Sequence, residues 1–417
     1  MLSPAAEQSP LGHRGGAPRR DGESRMVAGG RGEMIRIGIE GFFEEYLDQF
    51  RGAKVGLLSH LPAVDSQFVT SVDLVATHPD LHLKALFTPE HGLFGVAQAG
   101  EQIVDEIHPR YKVPIFSLYG TREKPTAKML AGLDLLLIDF QDVGARFYTY
   151  ISALGYMLEA AAEAGVPVFV LDRPNPIGGR LFEGPVLAPG YVSYVGKYPI
   201  PIRFGMTIGE LSLWIAKQEQ LSVCLIIVPI EGWQRSMWFD QTGRDWVPTS
   251  PNMPTLSTAT VYPGMTLFEG TNVTEGRGTT RPFEFFGAPW IEPSELITRF
   301  HERGLPGVRL REVSFVPTFS KYKDEVCRGA QVHVTDREQF RPVRTAVHLL
   351  EVIKELYPEL LRWTDPVRGR HFIDLLCGTD ELRLAIDGGQ DITTLYEKWE
   401  TEAEAFRSSI SSNFLYS

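Results

Sequence analysis

The sequence has few cysteines, and they do not cluster. Cys224, Cys327 and Cys377 stand singly among 417 residues, and no C-x-x-C pair occurs. Zinc knuckles and disulfide frameworks require closely spaced cysteines. We therefore expect no metal site and no disulfide framework, and we expect the three thiols to pack as small buried apolar side chains.

Long apolar runs and basic clusters are also missing. No apolar stretch approaches the roughly 20 residues that a membrane-spanning helix requires. The formal net charge is -11, whereas nucleic-acid-binding proteins usually present a clustered basic face. We therefore expect neither a membrane nor a nucleic-acid partner.

Several catalytic signatures are absent as well. No G-x-G-x-x-G joins a first strand to its helix and no Walker A sequence occurs, so we expect no nucleotide cofactor. The G-x-S-x-G elbow of serine hydrolases is missing. His78 and His82 have helical spacing, but Pro79 intervenes and no H-E-x-x-H is present, so we interpret them as loop or surface histidines.

Residues 1–33 are rich in Gly, Pro, Arg and Ala and lack the apolar h-region of a secretory signal. Such a composition buries too little apolar surface to become ordered. We interpret this stretch as a disordered tail, or as sequence upstream of a misassigned start at Met26 or Met34. A cytoplasmic location is expected, or a secreted or periplasmic one if the start is misassigned.

From residue 35 onward, strand-like and helix-like segments alternate. Nearly continuous apolar stretches, typical of strands buried on both faces, begin at 52, 81, 113, 133 and 166, with a further one at 221–233. Helical patterns separate them at 124–133, 147–166 and 205–218, the last opened by a Thr207–Glu210 capping box. This alternation predicts a Rossmann-like, doubly wound, mostly parallel sheet in an α/β fold.

The pattern of predicted secondary structure changes after about residue 285. Two antiparallel strands and two amphipathic helices are predicted there, at 308–319, 327–336, 341–358 and 393–407. We therefore predict a catalytic domain over 34–285 and a smaller C-terminal α+β domain over 286–417.

Polar residues follow the predicted strands at one end, where ligands bind in open α/β sheets. Glu90 lies in a sharp Pro-Glu-His-Gly turn, and Asp139 ends an otherwise apolar strand, where a carboxylate needs a partner. The structural alternatives are a helix cap or ion pair for Glu90 and a salt bridge to Arg146 for Asp139. The residues gathered on this rim are Glu90, His91, Asp139, Gln141, Asp142, Arg146, Asp172, Arg173 and Asn175.

The segment "FEGTNVTEGRGTTRPFE", residues 268–284, concentrates glutamates, arginines, threonines and glycines with aromatic neighbours. Glycines let the backbone approach a partner closely. Such a mixture of charged and neutral hydrogen-bonding groups suits a polyhydroxylated ligand such as a sugar. The alternative is a structural loop that bonds only to itself.

Five motifs together resemble one family closely, the NamZ-type exo-β-N-acetylmuramidases, formerly known as a domain of unknown function. These motifs are "FTPEHGLFG", "DFQDVGARFYTYISAL", "LDRPNPIGG", "SPNMPTL" and "YPGMTLFEGTNVTEGRGTTRPFEFFGAPW". The resemblance implies a Rossmann-like catalytic domain, a smaller C-terminal domain, and an active site in the cleft between them. It also implies release of terminal β-1,4-linked N-acetylmuramic acid from the non-reducing end of peptidoglycan fragments (MurNAc-GlcNAc), without a cofactor.

Within that expectation we assign Glu90 as the general acid, with Asp139 or Glu275 as the second catalytic carboxylate. Arg146 and Arg277 are the candidates for holding the lactyl carboxylate of muramic acid. The expected substrate-binding residues are His91, Gln141, Asp142, Arg146, Tyr148, Asn175, Asn252, Glu269, Asn272 and Arg277. Phe204 stands where the family commonly has a histidine. The alternatives in function are a non-catalytic saccharide-binding protein and a deacylase or esterase of cell-wall fragments.

Overall fold

A twisted seven-stranded sheet organises the molecule, with strand order β3-β4-β2-β1-β5-β6-β7. The computed structural model describes residues 34–367 and 369–417, so the predictions for residues 1–33 lie outside the described residues. The strands are β1 (Ala53–Ser59), β2 (Leu81–Thr88), β3 (Glu106–Ile107), β4 (Pro114–Ser117), β5 (Leu135–Asp139), β6 (Val168–Leu171) and β7 (Leu225–Val228).

All neighbouring strands of this sheet are parallel except β3, which pairs antiparallel with β4. Without the short β3, the chain visits the sheet positions in the order 3-2-1-4-5-6 that defines the Rossmann fold. The strand order reverses between β1 and β5, which meet in the register Ser59 to Asp139. The predicted fold class is confirmed.

Each central strand is buried on both faces because its successive side chains enter two different cores. In β5, Leu136 and Ile138 join the core beneath α4, whereas Leu135 and Leu137 join the core on the opposite face. This is the period-two alternation of a strand. A parallel sheet needs such cover on both sides, which explains the nearly continuous apolar sequence.

The helices cover these faces and build the C-terminal part. They are α1 (Gly38–Gly41), α2 (Ser71–Thr77), α3 (Ala127–Leu130), α4 (Tyr150–Ala164), α5 (Ile208–Gln218), α6 (Leu256–Met265), α7 (Pro293–His301), α8 (Pro342–Leu356), α9 (Phe372–Cys377), α10 (Glu381–Asp387) and α11 (Ile392–Ile410). Short turns of π- or 3₁₀-helix occupy 42–46, 47–50, 189–191, 239–241, 266–270 and 411–413.

Helix ends agree with their sequence signals in two places. Gly165 has a φ of 66° and closes α4 in the left-handed conformation. Thr207 and Glu210 form the predicted capping box of α5. The helix predicted at 124–133 shrinks to the single turn of α3.

The C-terminal part contains a three-stranded antiparallel sheet in the order β8 (Phe285–Ala288), β10 (Cys327–Val334), β9 (Val308–Phe315). Its helices share one apolar core with the α4 face of the large sheet. The predicted division at residue 285 falls inside β8 and stays a prediction.

Two further expectations can be compared with the described residues. Within them, no helix is long and apolar enough to cross a membrane. Cys327 and Cys377 are buried as predicted, but Cys224 is exposed, because it directly precedes β7 at the sheet edge. The prediction that all three thiols are buried was therefore wrong for Cys224.

Candidate functional site

A cavity of about 550 Å³ opens beyond the carboxyl ends of β2, β4 and β5. One wall comes from the loops that follow these strands, and the other from the segment around α6 and residues 266–283. Further lining comes from the β9–β10 connection and α9. The polar lining residues are Glu90, His91, Gln98, Tyr119, Tyr148, Thr149, Ser250, Asn252, Tyr262, Thr266, Glu269, Glu275, Arg277, Ser320 and Lys321.

Glu90 is placed in the cavity by a tight turn after β2. His91 and Gly92 both have positive φ, 74° and 76°, and this left-handed pair reverses the chain. For histidine such a conformation is strained, and strain of this kind clusters at functional sites. The Oε1 of Glu90 accepts a hydrogen bond from the Gly100 amide at 2.9 Å, and Oε2 accepts one from the Thr149 hydroxyl at 2.6 Å.

Thr149 precedes the first residue of α4, yet its hydroxyl makes no capping bond to the helix. It donates to Glu90 instead. The start of α4 therefore fixes the carboxylate. Since both Glu90 oxygens have a defined donor, the side chain has little freedom to rotate away from the cavity.

His91 lines the cavity as a neutral ring. Its Nδ1 lies 2.8 Å from the carbonyl oxygen of Ala97, and a carbonyl only accepts, so Nδ1 carries the hydrogen. The Nε2 atom is then left as an acceptor. Burial lowers the pKa of His91, so the ring is neutral near pH 7.

On the other wall, two glutamates contact the same arginine. Arg277 donates to Oε1 of Glu269 from Nε at 2.9 Å and from Nη2 at 2.6 Å, and its Nε lies 3.4 Å from Oε1 of Glu275. Its guanidinium packs over the Phe283 ring at 4.9 Å. Gly276 makes this arrangement possible, because its φ is 80° and an added Cβ would lie 2.5 Å from the Phe285 carbonyl oxygen.

Lys321 reaches the same glutamate from the β9–β10 connection. Its Nζ donates to Oε2 of Glu275 at 2.9 Å and to the carbonyl oxygens of Phe268 and Val273 at 2.8 and 3.1 Å. An ammonium group has three donors, so Lys321 is fully used. Its role is to hold Glu275, and it has no donor left for a ligand.

The two glutamates differ in their electrostatic surroundings. Burial raises the pKa of Glu269 despite its bonds to Arg277. Burial also acts on Glu275, but the charges of Lys321 and Arg277 outweigh it and lower the pKa. Carboxyl groups whose surroundings push their pKa values apart suit acid and base roles in one site.

Asp139, predicted as a second catalytic carboxylate, lies outside this cavity. Its oxygens accept from Nε and Nη2 of Arg173 at 2.5 and 2.9 Å and from the Ser71 hydroxyl. The pair is buried and lies at the point where the strand order reverses, which is the usual position of ligands in this fold. The predicted salt bridge to Arg146 is wrong, and Arg173 takes its place.

Arg146, the other candidate for holding a carboxylate ligand, also lies away from the cavity lining. Its two Nη atoms donate to four backbone carbonyl oxygens, those of Pro185, Ile200, Leu376 and Cys377, at 2.6–3.0 Å. Burial lowers its pKa to about 10. The side chain connects the loop after β5 to the end of α9. Arg146 is therefore not among the residues of the proposed site.

Four more predicted binding residues lie outside the cavity lining, and each makes hydrogen bonds with backbone groups. The Gln141 amide donates to the carbonyls of Asp142 and Pro174, and the Asp142 carboxylate accepts from the Gly144 amide. Asn175 donates to the Met206 carbonyl, and Asn272 bonds with Leu360 and Arg362. These residues shape turns.

The cavity thus brings together seven of the predicted residues: Glu90, His91, Tyr148, Asn252, Glu269, Glu275 and Arg277. The sequence reasoning missed Tyr119, Thr149 and Lys321. Lys321 lies in no recognisable sequence motif, and the positive φ of its neighbours Ser320 and Tyr322 is known only from the structure. Phe204 is buried in the core and does not line the cavity.

The possibility of a metal site was judged from the side chains that could coordinate an ion. Within the part of the chain that the structure describes, no group of three or more histidine, cysteine, aspartate or glutamate residues is arranged to hold a metal ion.

Two family models match this chain, and together they span most of the described residues. Residues 55–257 match the family model of the N-terminal part of exo-beta-N-acetylmuramidase NamZ, and residues 260–416 match that of its C-terminal part. The chain is 43% identical over 372 residues to the peptidoglycan beta-N-acetylmuramidase NamZ of Bacillus subtilis (strain 168), which covers 89% of each chain.

Two solved structures of DUF1343 family proteins from Bacteroides fragilis NCTC 9343 are also similar. One has a TM-score of 0.85 at 34% identity, and the other a TM-score of 0.70 at 27% identity. Each alignment covers 92% of this chain and 99% of the other. With both halves of the sequence matched and a relative at this identity, the chain belongs to the exo-beta-N-acetylmuramidase NamZ family.

Proposed function

We propose that this protein is an exo-acting glycoside hydrolase that releases terminal β-1,4-linked N-acetylmuramic acid from the non-reducing end of peptidoglycan fragments. The similarity to the Bacillus subtilis peptidoglycan beta-N-acetylmuramidase supports the activity and the saccharide substrate. The observation that carries the proposal is one cavity lined both by Glu90 and by a separate glutamate pair held by Arg277.

Glycoside hydrolysis needs a proton donor for the leaving oxygen and a second group that supports the oxocarbenium-like centre. In our proposal Glu90 is the general acid, on the wall formed by the strand ends. Glu275, kept ionised by Lys321 and Arg277, is the second carboxylate. It acts at the opposite face of the sugar ring, on water or on the anomeric carbon. Asp139 has no part in this mechanism, because it forms a buried ion pair with Arg173.

The direct test is incubation of the protein with a chromogenic β-N-acetylmuraminide beside the matching glucosaminide. We expect chromophore release from the muraminide and much slower release from the glucosaminide. Free N-acetylmuramic acid should also appear from MurNAc-β-1,4-GlcNAc, as measured by chromatography. Release from none of these substrates would contradict the proposed function.

Lys321 offers a test through the pH profile. Since Lys321 helps to lower the pKa of Glu275, Lys321→Met should raise that pKa. If Glu275 must be ionised for activity, its protonation then begins at a higher pH as the solution is acidified. The acidic limb of kcat/KM should therefore move to higher pH. The profile is measured on the chromogenic muraminide. Lys323→Met is the matched control, because Lys323 is exposed two positions away. An unshifted acidic limb in Lys321→Met would show that Glu275 does not need to be ionised.

Arg277 remains the candidate for recognising the lactyl carboxylate that distinguishes muramic acid from glucosamine. Among the described residues, none accepts a hydrogen bond from its Nη1, so two donors are open to a ligand. Arg277→Met should reduce the muraminide-to-glucosaminide ratio of kcat/KM by about 10- to 100-fold, the equivalent of roughly 1.5–3 kcal/mol for a hydrogen-bonded charge.

The ratio separates recognition from general damage to the site. Arg277→Met also disturbs Glu269 and Glu275, but this disturbance slows both substrates. Lys321→Met serves as the control, because it loosens Glu275 without removing the proposed clamp, and its ratio should stay near that of the wild type. An unchanged ratio in Arg277→Met would refute the clamp.

A further inference from the structure

Tyr119, which lines the cavity together with Glu90, belongs to a cluster of three tyrosines. Glu90 follows β2 and Tyr119 follows β4, and these strands are parallel neighbours with Thr88 opposite Ser117. Each of the two residues lies two positions beyond its member of that pair. Tyr119 therefore stands beside Glu90 on the same wall, and both line the cavity.

Tyr119 is held in place by the other two rings. It meets Tyr194 edge-on, with ring centroids 5.4 Å apart, and Tyr194 stacks on Tyr156 at 6.4 Å with an interplanar angle of 16°. The Tyr194 hydroxyl donates to the Leu118 carbonyl at 2.6 Å, and the Lys197 ammonium sits 3.8 Å from the Tyr156 ring centroid. We call Tyr119, Tyr156 and Tyr194 the tyrosine ledge.

All three ledge residues are half-buried, and Tyr119 is the member of the three that lines the cavity. Half-exposed aromatic rings combine a large apolar surface with a polar tip, and they lose little conformational entropy on binding. The apolar face of a pyranose ring suits such a surface. A rigid ring beside a proton donor is therefore a ready-made support for a saccharide.

We propose that Tyr119, supported by the rest of the ledge, binds the leaving saccharide, the N-acetylglucosamine ring that is set free when the glycosidic bond breaks. This inference rests on the proposed function. A general acid must touch the glycosidic oxygen, and that oxygen leaves with the second sugar. With Glu90 as the acid, the second sugar lies on the Glu90 side of the bond, where Tyr119 stands. The muramic ring then occupies the side of Glu275 and Arg277.

Tyr119 has a second feature that the test must separate from stacking. Burial and the neighbouring Glu90 carboxylate raise the pKa of the Tyr119 phenol, so the hydroxyl keeps its proton and is able to donate to Glu90. A role of this hydroxyl in positioning Glu90 would be lost in Tyr119→Phe. A stacking role of the ring would survive in Tyr119→Phe and be lost in Tyr119→Ala and Tyr119→Leu.

The experiment compares kcat/KM for two substrates with the same muramic ring, MurNAc-β-1,4-GlcNAc and methyl β-N-acetylmuraminide. Both release an alkyl alcohol, but only the first has a ring to stack. We expect Tyr119→Ala and Tyr119→Leu to lower the disaccharide-to-methyl ratio by about 3- to 10-fold, as for aromatic contacts generally. Tyr119→Phe should retain the wild-type ratio. Tyr357→Ala, at a half-buried tyrosine packed on Trp290 away from the cavity lining, is the matched control.

A second measurement uses the wild-type protein and does not depend on the folding of any variant. Free N-acetylglucosamine should inhibit hydrolysis of the methyl glycoside, because it occupies the ledge as the leaving sugar would. An unchanged ratio in both Tyr119→Ala and Tyr119→Leu, an equal loss in Tyr119→Phe, or no inhibition by N-acetylglucosamine would overturn the ledge proposal alone. Failure of the wild type to cleave either substrate would overturn the proposed function and this inference with it.

Discussion

Glu90→Gln is expected to lower kcat/KM for MurNAc-β-1,4-GlcNAc by about 100- to 10,000-fold, the usual contribution of a positioned general acid. Glutamine keeps the shape of the side chain and can still meet Gly100 and Thr149, which now bond the two carboxylate oxygens. It has no proton to give to the leaving oxygen. The loss should therefore appear in turnover, while substrate binding persists, as measured by calorimetry with the uncleaved disaccharide.

The nature of the leaving group identifies the acid. The dinitrophenolate of a dinitrophenyl muraminide leaves without protonation, so Glu90→Gln should regain most of its activity on that substrate. Glu269→Gln is the informative comparison, because burial raises the pKa of Glu269 and makes it a rival proton donor. If Glu269→Gln is rescued by the activated substrate and Glu90→Gln is not, the roles assigned here are wrong.

The same variant tests the saccharide-binding alternative that the sequence left open. A non-catalytic binding protein would show no turnover in the wild type and no change in affinity on replacing Glu90. An enzyme of the proposed kind would lose turnover and keep affinity. Both quantities are measurable on one preparation of each protein.

Asp139→Ala is expected to destabilise the protein by about 3–5 kcal/mol, the usual cost of removing one member of a buried ion pair. The change leaves Arg173, whose side chain is only 6% exposed, as a buried charge without its carboxylate. The free energy of unfolding from urea titration measures this effect. Activity per folded molecule should stay close to that of the wild type, because Asp139 does not line the cavity.

Two further variants make that prediction specific. Asp240→Ala breaks an aspartate–arginine pair of similar length, 2.7 Å to Arg337, whose members are 50% and 38% exposed. Such a pair contributes about 0–1 kcal/mol. Replacing both Asp139 and Arg173 with apolar residues should restore much of the lost stability. A stable Asp139→Ala protein without activity would instead return Asp139 to the list of catalytic groups.

The large sheet was predictable because its strands are buried on both faces and read as apolar runs of strand length. Helices with strong signals, such as α4 with its glycine end and α5 with its capping box, were predictable too. Helix α6 was not, because eight of its ten residues are buried and Pro263 lies inside it. A helix without a polar face has no 3.6-residue periodicity to detect.

The site was predictable only in part. Glu90, Glu275 and Arg277 were found because their motifs combine turn glycines with charged side chains. Asp139 and Arg146 carried the same signals, and the structure uses both internally. A buried charge that serves the fold and one that serves a ligand look alike in sequence, because each needs a partner and only its position shows which partner it has.

By itself, the sequence determined that this chain forms a doubly wound sheet and which glutamates stand at the ends of strands or turns, because burial and backbone preference act over a few residues. Only the tertiary structure decided that Lys321 holds Glu275, that Arg173 removes Asp139 from the site, and that Tyr119 stands beside Glu90. These contacts join segments about 30 to 50 residues apart along the chain, and their strength depends on distances of a few ångströms that no local pattern encodes.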